Sequence, residues 1–197
     1  GFSSAYDSTG KNNFDKDGYN GDAVTARFSA KATNNLTLNS FFNYSKYKTD
    51  ADFGLFTDEK DYTIQNKNLF AGVGFTFYKD FFSLTCNYRY NNGNRNYLND
   101  SNSIASYVYF EDNKYYNQEQ YAELYANIKA GKNFSFLAGS DYRYGKMNQQ
   151  YFSITDFGPY SDNFKDTGAN QLSFYASAFY NSSNKKDRKS TRLNSSH

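Results

Sequence analysis

The chain has 197 residues, a formal net charge of +2, one cysteine, and one histidine that is the last residue, His197. These counts exclude a disulfide framework and a cysteine-based metal site, and they argue against a Ser/His/Asp triad or a histidine-ligated metal. The last fourteen residues carry five basic side chains and one acidic one, so the remaining body has a net charge of −2. We therefore predict a protein that is not an enzyme and does not bind nucleic acid.

Aromatic residues make up 21% of the chain, with 21 Tyr, 20 Phe and no Trp, and proline occurs once, at Pro159. Such side chains pack well on a pleated surface and favour strands over long helices. No apolar run reaches the length of a membrane-spanning helix. The composition predicts an all-β protein.

Period-2 alternation of apolar and polar residues predicts seven strands. The first covers Asp22–Thr33, and its apolar positions are Val24, Ala26, Phe28, Ala30 and Ala32. The other six alternate over residues 36–44, 69–77, 82–90, 122–130, 134–142 and 172–180.

The apolar positions of these strands, five in each and thirty-five in total, include no charged residue. At the 21% charge content of the chain, about seven would be charged by chance. The intervening positions carry the charges instead: Arg27, Lys31, Arg89, Glu123, Lys129, Asp141 and Arg143. One face of each strand is therefore predicted to avoid water.

Connection lengths also alternate along the chain. Tight turns near Asn34, Asp80 and Lys132 alternate with three long connections, over Thr49–Asn66, Gly93–Asn117 and Met147–Ala169. Short turns at one end and long loops at the other are typical of outer-membrane barrels, whose long loops are extracellular.

The apolar face is graded, with small residues in mid-strand and aromatic residues nearer the ends. This order favours the aromatic girdles of a membrane barrel over a soluble β-sandwich, which would have its largest side chains in the middle. We predict part of a transmembrane antiparallel β-barrel, with about seven long up-and-down strands, short periplasmic turns and long extracellular loops. Because barrels usually have an even number of strands, residues 1–183 are expected to be a segment of one.

Two acidic stretches flank the first two strands. FDKDGY, over residues 14–19, leads into the first strand, and KTDADF, over residues 48–53, follows the second. This arrangement resembles TonB-dependent outer-membrane receptors, especially the cobalamin-receptor branch, and the aromatic, Asn-rich strands are similar to members from Bacteroidetes. The resemblance covers residues 1–183. It implies a bacterial outer-membrane protein that contacts lipid, interacts with TonB through an N-terminal plug, and actively takes up a large scarce solute.

Residues 184–197 differ in composition from the rest of the chain. They resemble a translated sequencing-adapter read-through, and we expect a disordered tail that is not native sequence. A basic periplasmic turn is the alternative.

The acidic stretches also predict a metal site. Carboxylate oxygens suit Ca²⁺, and the tight turn between the first two strands brings the far ends of those strands together. The resemblance likewise implies calcium in these loops. The candidate ligands are Asp7, Asp15, Asp17, Asp50 and Asp52. A solvated turn is the alternative.

Aromatic residues in the predicted long loops are candidates for contacting a large ligand, because rigid rings bind at low entropy cost. The candidates are Tyr97, Tyr109, Tyr115, Tyr116, Phe157 and Tyr160. Packing of the loops against each other is the alternative. Cobalamin, a ferric siderophore and a glycan are all compatible solutes. A passive porin-type channel and a soluble β-rich carbohydrate-binding module remain as alternative functions.

Overall fold

The computed structural model describes residues 16–52, 61–100, 108–181 and 188–196. They form one antiparallel sheet in which each strand pairs with its neighbours in chain order. The strands are β1 (Tyr19–Thr33), β2 (Leu36–Asp50), β3 (Tyr62–Lys79), β4 (Phe82–Asn99), β5 (Val108–Ala130), β6 (Phe134–Thr155), β7 (Gly158–Asn181) and β8 (Arg188–Ser196). The predicted all-β, up-and-down arrangement is confirmed. Among these residues no helix could span a membrane.

The sheet has eight strands where seven are predicted, and it does not close into a barrel. β8 lies within the segment expected to be a disordered tail and pairs with β7 from Asn181↔Arg188 to Ser173↔Ser196. Whether residues 184–197 are native sequence stays a prediction, because strand pairing does not test it.

The register places thirty-four of the thirty-five predicted apolar positions on one side of the sheet, and the other, Ala32, lies at a register shift between Lys31 and Thr33. One continuous row, for example, joins Ala30, Leu38, Phe75, Cys86, Leu124, Ser140 and Phe174. Side chains of directly paired residues point to the same side of a sheet, so we call this side the apolar face and the other the polar face. Many of the apolar-face side chains are exposed, with Phe28 at 62% and Val73 at 61%.

The polar face is the more crowded of the two. The residues described as buried are Gly72, Thr85, Gly93, Asn99, Val108 and Ser153. The register places these residues on the polar face, as expected for a sheet that curves toward that side. Its glycines make room for neighbouring rings. A Cβ atom at Gly139 would lie 2.6 Å from Tyr175 Cζ, and one at Gly72 would lie 2.5 Å from Phe41 Cε1.

The tight turns have the expected lengths. β3 and β4 are joined by Asp80 and Phe81, and Asp80 adopts a φ of 32°. β5 and β6 are joined by residues 131–133, where Gly131 has a φ of 72°. Aspartate tolerates the left-handed region better than most residues, and glycine adopts it without a steric penalty. These turns define the turn end of the sheet, and we call the opposite end the far end.

The long loops at the far end are only partly as predicted. The connections shrink to residues 51–61 and 100–107, and the third predicted loop, Met147–Ala169, is wrong. That segment is a hairpin of β6 and β7 with Asp156 and Phe157 between the strands. The prediction used apolar alternation to mark strands. Apolar alternation ends before this segment, although backbone pairing continues to Thr155↔Gly158.

Candidate functional site

The two acidic stretches meet at the far end of β1 and β2. The Asp50 carboxylate accepts a hydrogen bond from the Gly18 amide at 3.1 Å, and the Asp50 amide donates to the Gly18 carbonyl at 3.0 Å. The Thr49 hydroxyl also donates to that carbonyl, at 3.1 Å. Asp17 therefore lies next in sequence to a residue that Asp50 holds in place.

The predicted calcium ligands are only partly within the described residues. Asp17, Asp50 and Asp52 are described, whereas Asp7 and Asp15 lie outside. Within the described part of the chain, no group of three or more His, Cys, Asp or Glu side chains could hold a metal ion. The calcium site stays a prediction.

The aromatic candidates lie mostly in strands and not in loops. Tyr97 is in β4, and Tyr160 is in β7. Tyr109, Tyr115 and Tyr116 are all in β5. Phe157 occupies the turn between β6 and β7 and is 97% exposed. Their assignment to loops is therefore corrected, except for Phe157, which lies in a turn.

These aromatic residues do not form one cluster. Tyr97 and Tyr115 are on the polar face and pack edge to face with ring centroids 5.9 Å apart. Tyr160 contacts the ring of Tyr151 at 6.0 Å, and the Tyr109 hydroxyl donates to the Asp156 carboxylate. Tyr116 lies on the continuation of the apolar face and accepts a hydrogen bond from Asn92.

The Tyr97–Tyr115 pair lines a cleft of about 760 Å³ toward the far end of the polar face. The register puts amide side chains beside the rings, since Asn66 pairs with Arg95, Arg95 with Tyr115, and Tyr115 with Gln149. The other side chains that line the cleft include Tyr62, Asn68, Glu111, Asn113 and Asn117. We call this region the polar cleft.

Hydrogen bonds fix the polar cleft before any ligand enters. The Gln149 amide donates to Asn113 Oδ1 at 3.2 Å and to the Tyr115 hydroxyl at 3.1 Å. Arg95 donates through Nη1 to the Tyr97 hydroxyl at 3.3 Å and through Nε to Asn66 Oδ1 at 3.4 Å. Side chains held by such contacts lose less entropy when a ligand binds.

The polar cleft carries little net charge. Its lining has one cation, Arg95, and one acidic side chain, Glu111. Burial raises the pKa of the Glu111 carboxyl, and burial, followed by the nearby Glu111 carboxylate, raises the pKa of the Tyr62 hydroxyl. The site presents hydrogen-bonding amides and hydroxyls beside aromatic rings, which suits a large polar solute.

A second polar network lies nearer the turn end. The guanidinium carbons of Arg89 and Arg143 lie 5.3 and 5.1 Å from the centroid of the Tyr121 ring. The Glu123 carboxylate accepts hydrogen bonds from Asn87 at 3.1 Å and Tyr175 at 3.2 Å. Three of the charged residues found by sequence alternation, Arg89, Glu123 and Arg143, therefore contact side chains on other strands.

Sequence reasoning missed the amide residues of the polar cleft. Asn66, Asn113 and Gln149 are on three different strands, and only the register shows that they converge. The sequence feature that could have indicated this cleft is the occurrence of Asn and Gln at alternate positions of neighbouring strands. Comparisons with known protein families, curated proteins and solved structures found no match to this chain.

Proposed function

We propose that this chain is part of an outer-membrane β-barrel receptor that takes up a large scarce solute by TonB-dependent active transport. The observation that carries the proposal is the apolar face. Seven neighbouring strands align thirty-four uncharged positions on one exposed side of the sheet. Monomeric soluble proteins rarely expose contiguous apolar surface beyond a few hundred Å², so a hydrocarbon environment accounts for this face better than water.

The height of the apolar face also favours a membrane. On the first three strands its uncharged stretch covers nine residues and is bounded toward the far end by Asp22, Lys46 and Lys67. On the other four strands the five apolar positions likewise cover nine residues. We call these nine-residue stretches the apolar band. A tilted membrane strand needs about nine to eleven residues to cross the hydrocarbon core.

The stagger between paired strands at the hairpins supports a tilt of the strands relative to the membrane normal. Phe77 pairs with Leu36 beside the β1–β2 turn, and β3 continues two residues further, to Lys79. Ile128 pairs with Phe82 beside the next turn, and β5 likewise continues two residues, to Ala130. If the turns lie at one membrane surface, a stagger of about one residue per strand corresponds to a tilt of about 35°. At this tilt the apolar band is about 24 Å tall, close to the roughly 25 Å of known barrels.

A membrane location requires that the two edges of the sheet find partners. β1 and β8 are the edge strands of the described sheet. Unpaired backbone groups cannot face hydrocarbon, so the proposal needs further strands that close the barrel. It places the plug domain, through which TonB would act, elsewhere in the protein.

The polar cleft is the candidate solute site. Its position toward the far end of the polar face corresponds to the extracellular part of the barrel interior. Cobalamin, a ferric siderophore and a glycan remain the candidate solutes. Tyr115→Ala removes a ring and two hydrogen bonds from the cleft, so it should weaken solute uptake while the band is unchanged.

The membrane proposal is tested by expressing the protein in a Gram-negative host and separating the membranes on a density gradient. We expect it in the outer-membrane fraction, resistant to alkaline carbonate. Recovery from the aqueous phase without detergent would support the soluble carbohydrate-binding module instead. Uptake should stop in a host without TonB, whereas a passive porin would continue to conduct.

Calcium is the proposed cofactor, and it is tested separately. Calorimetric titration of the intact receptor should show binding at millimolar calcium or below, and Asp15→Asn with Asp17→Asn should abolish it. Mg²⁺ should substitute poorly because it demands a tighter octahedron of ligands. Equal calcium binding by the double variant would indicate that the acidic stretches form only a solvated turn.

A further inference from the structure

Lysines occupy one side of the sheet beyond the far-end border of the apolar band. The register places all five lysines of β2–β6 that lie beyond the band toward the far end on the continuation of the apolar face. They are Lys46, Lys48, Lys67, Lys114 and Lys146. We call this surface the lysine strip.

Arginines follow the opposite rule. Arg27, Arg89, Arg95 and Arg143 lie on the polar face, where the last three contact tyrosine side chains. The positive charge of the lysine strip is therefore not part of a generally basic sheet. Lysine suits this border, because its stem covers apolar surface while its ammonium group reaches a polar layer as a point charge.

Acidic side chains offset only part of the charge of the strip. Asp112 forms an ion pair with Lys114 at 2.6 Å. The Asp50 carboxylate accepts a hydrogen bond from the Gly18 amide, and Asp22 pairs with Lys46 in the register. Lys46, Lys48 and Lys67 form no ion pair with any residue that the structure describes. Three ammonium groups therefore remain available to an anion.

Amide side chains separate the lysines and help to form a cleft. The cleft has a volume of about 440 Å³. The lining residues on this side include Gln65, Lys67, Asn94, Asn96, Asn148 and Gln150. Asn96 Oδ1 is buried and lacks a hydrogen-bond partner. Amides donate and accept hydrogen bonds together, as neighbouring sugar hydroxyls require, and an ammonium group pairs with phosphate.

We propose that the lysine strip binds the phosphorylated sugar headgroup of a glycolipid from the membrane leaflet at the far end of the sheet. Lys46 and Lys67 contact phosphate, and Asn94, Asn96 and Asn148 contact sugar hydroxyls. The inference rests on the proposed function because it needs the apolar band to lie in lipid. It adds a second ligand, on the outer wall of the barrel, that is distinct from the solute in the polar cleft.

The test uses the intact receptor reconstituted in phosphatidylcholine vesicles that contain a small fraction of a bis-phosphorylated glucosamine glycolipid. After detergent extraction and washing, the glycolipid retained per protein is measured by mass spectrometry. Wild type should retain it, and Lys46→Gln with Lys67→Gln should weaken retention roughly tenfold or more, since each lysine contributes a charged hydrogen bond. The matched control is Lys31→Gln with Lys129→Gln on the polar face, which should retain it like wild type.

Three further arms identify the ligand. Dephosphorylated glycolipid and phosphatidylglycerol should be retained less, and excess inorganic phosphate should not displace the glycolipid. Equal retention of phosphatidylglycerol, or equal loss in both double variants, overturns the proposal. A protein that never enters the vesicles contradicts the membrane function itself, whereas an inserted protein without glycolipid contradicts only this inference.

Discussion

The two faces of this sheet are built from the same strands, with residues that alternate one by one. On the apolar face Val73 is 61% exposed and Phe174 is 60% exposed. On the polar face Thr85 is only 8% exposed, and its hydroxyl lies 3.2 Å from that of Thr76. Side chains on the polar face pack against each other, whereas those on the apolar face need a partner from outside the described sheet.

The comparison shows what a period of two residues can encode. A shift of one residue in register would move every apolar side chain to the other face. Seven strands keep the same phase, so the sequence specifies two environments at once. The difference between the faces is tested by placing the same substitution on each face.

The largest effect is expected from charge on the apolar face. Val73→Arg or Ala176→Arg should destabilise the membrane-inserted barrel by roughly 2–4 kcal/mol, because an arginine at the bilayer midplane loses its hydration. Ser177→Arg, one residue from Ala176, faces the polar side and should cost much less. The folding yield in lipid vesicles, measured over a urea series, gives both values.

Ser177 is a cleaner control for this experiment than Thr76, whose hydroxyl lies within hydrogen-bond distance of Thr85. Equal tolerance at Ala176 and Ser177 would end the lipid-facing assignment. The exposure of the apolar face would then have to be explained by a soluble partner that covers it.

A smaller effect should separate two glycines of the polar face, Gly139 and Gly145, which are both in β6. A Cβ at Gly139 would lie 2.6 Å from Tyr175 Cζ and 2.7 Å from Tyr125 Cβ, whereas one at Gly145 would meet nothing within 4 Å. Gly139→Ala should therefore cost about 1–3 kcal/mol through overpacking, and Gly145→Ala should be nearly neutral. Thermal unfolding of both variants in detergent tests this difference, and similar melting temperatures would contradict the crowding of the polar face.

Alternation predicted the faces and the tight turns, because both depend on neighbours in sequence. Cys86 was placed on the apolar face, and the register confirms it between Phe75 and Leu124. The far end was harder to predict. Asn113 and Gln149 are thirty-six positions apart, and only the pairing of β5 with β6 brings them within hydrogen-bond distance. Loop lengths failed for a similar reason, since the β6–β7 hairpin continues where apolar alternation has ended.

The smallest effect concerns Glu111, on the polar face at the far end. Burial raises the pKa of its carboxyl above the ordinary value of 4.5. The folded protein therefore binds this proton more tightly than the unfolded chain, and the carboxylate destabilises the fold when the pH is above the folded pKa. This cost should shrink as the pH falls through the raised pKa and disappear below 4.5, where the carboxyl is protonated in both states.

Glu111→Gln mimics the protonated form, so it should stabilise the protein at pH 7 to 8 and remove the gain that wild type shows on acidification. The increase should stay below about 1 kcal/mol, because solvent screens a carboxylate that is only partly buried. Glu119→Gln, at an exposed position of the polar face in the same strand, is the matched control. Amide hydrogen exchange of β4 and β5, followed between pH 5 and pH 8, measures both variants. If the two substitutions change exchange equally, burial at Glu111 does not distinguish it from the exposed part of the polar face.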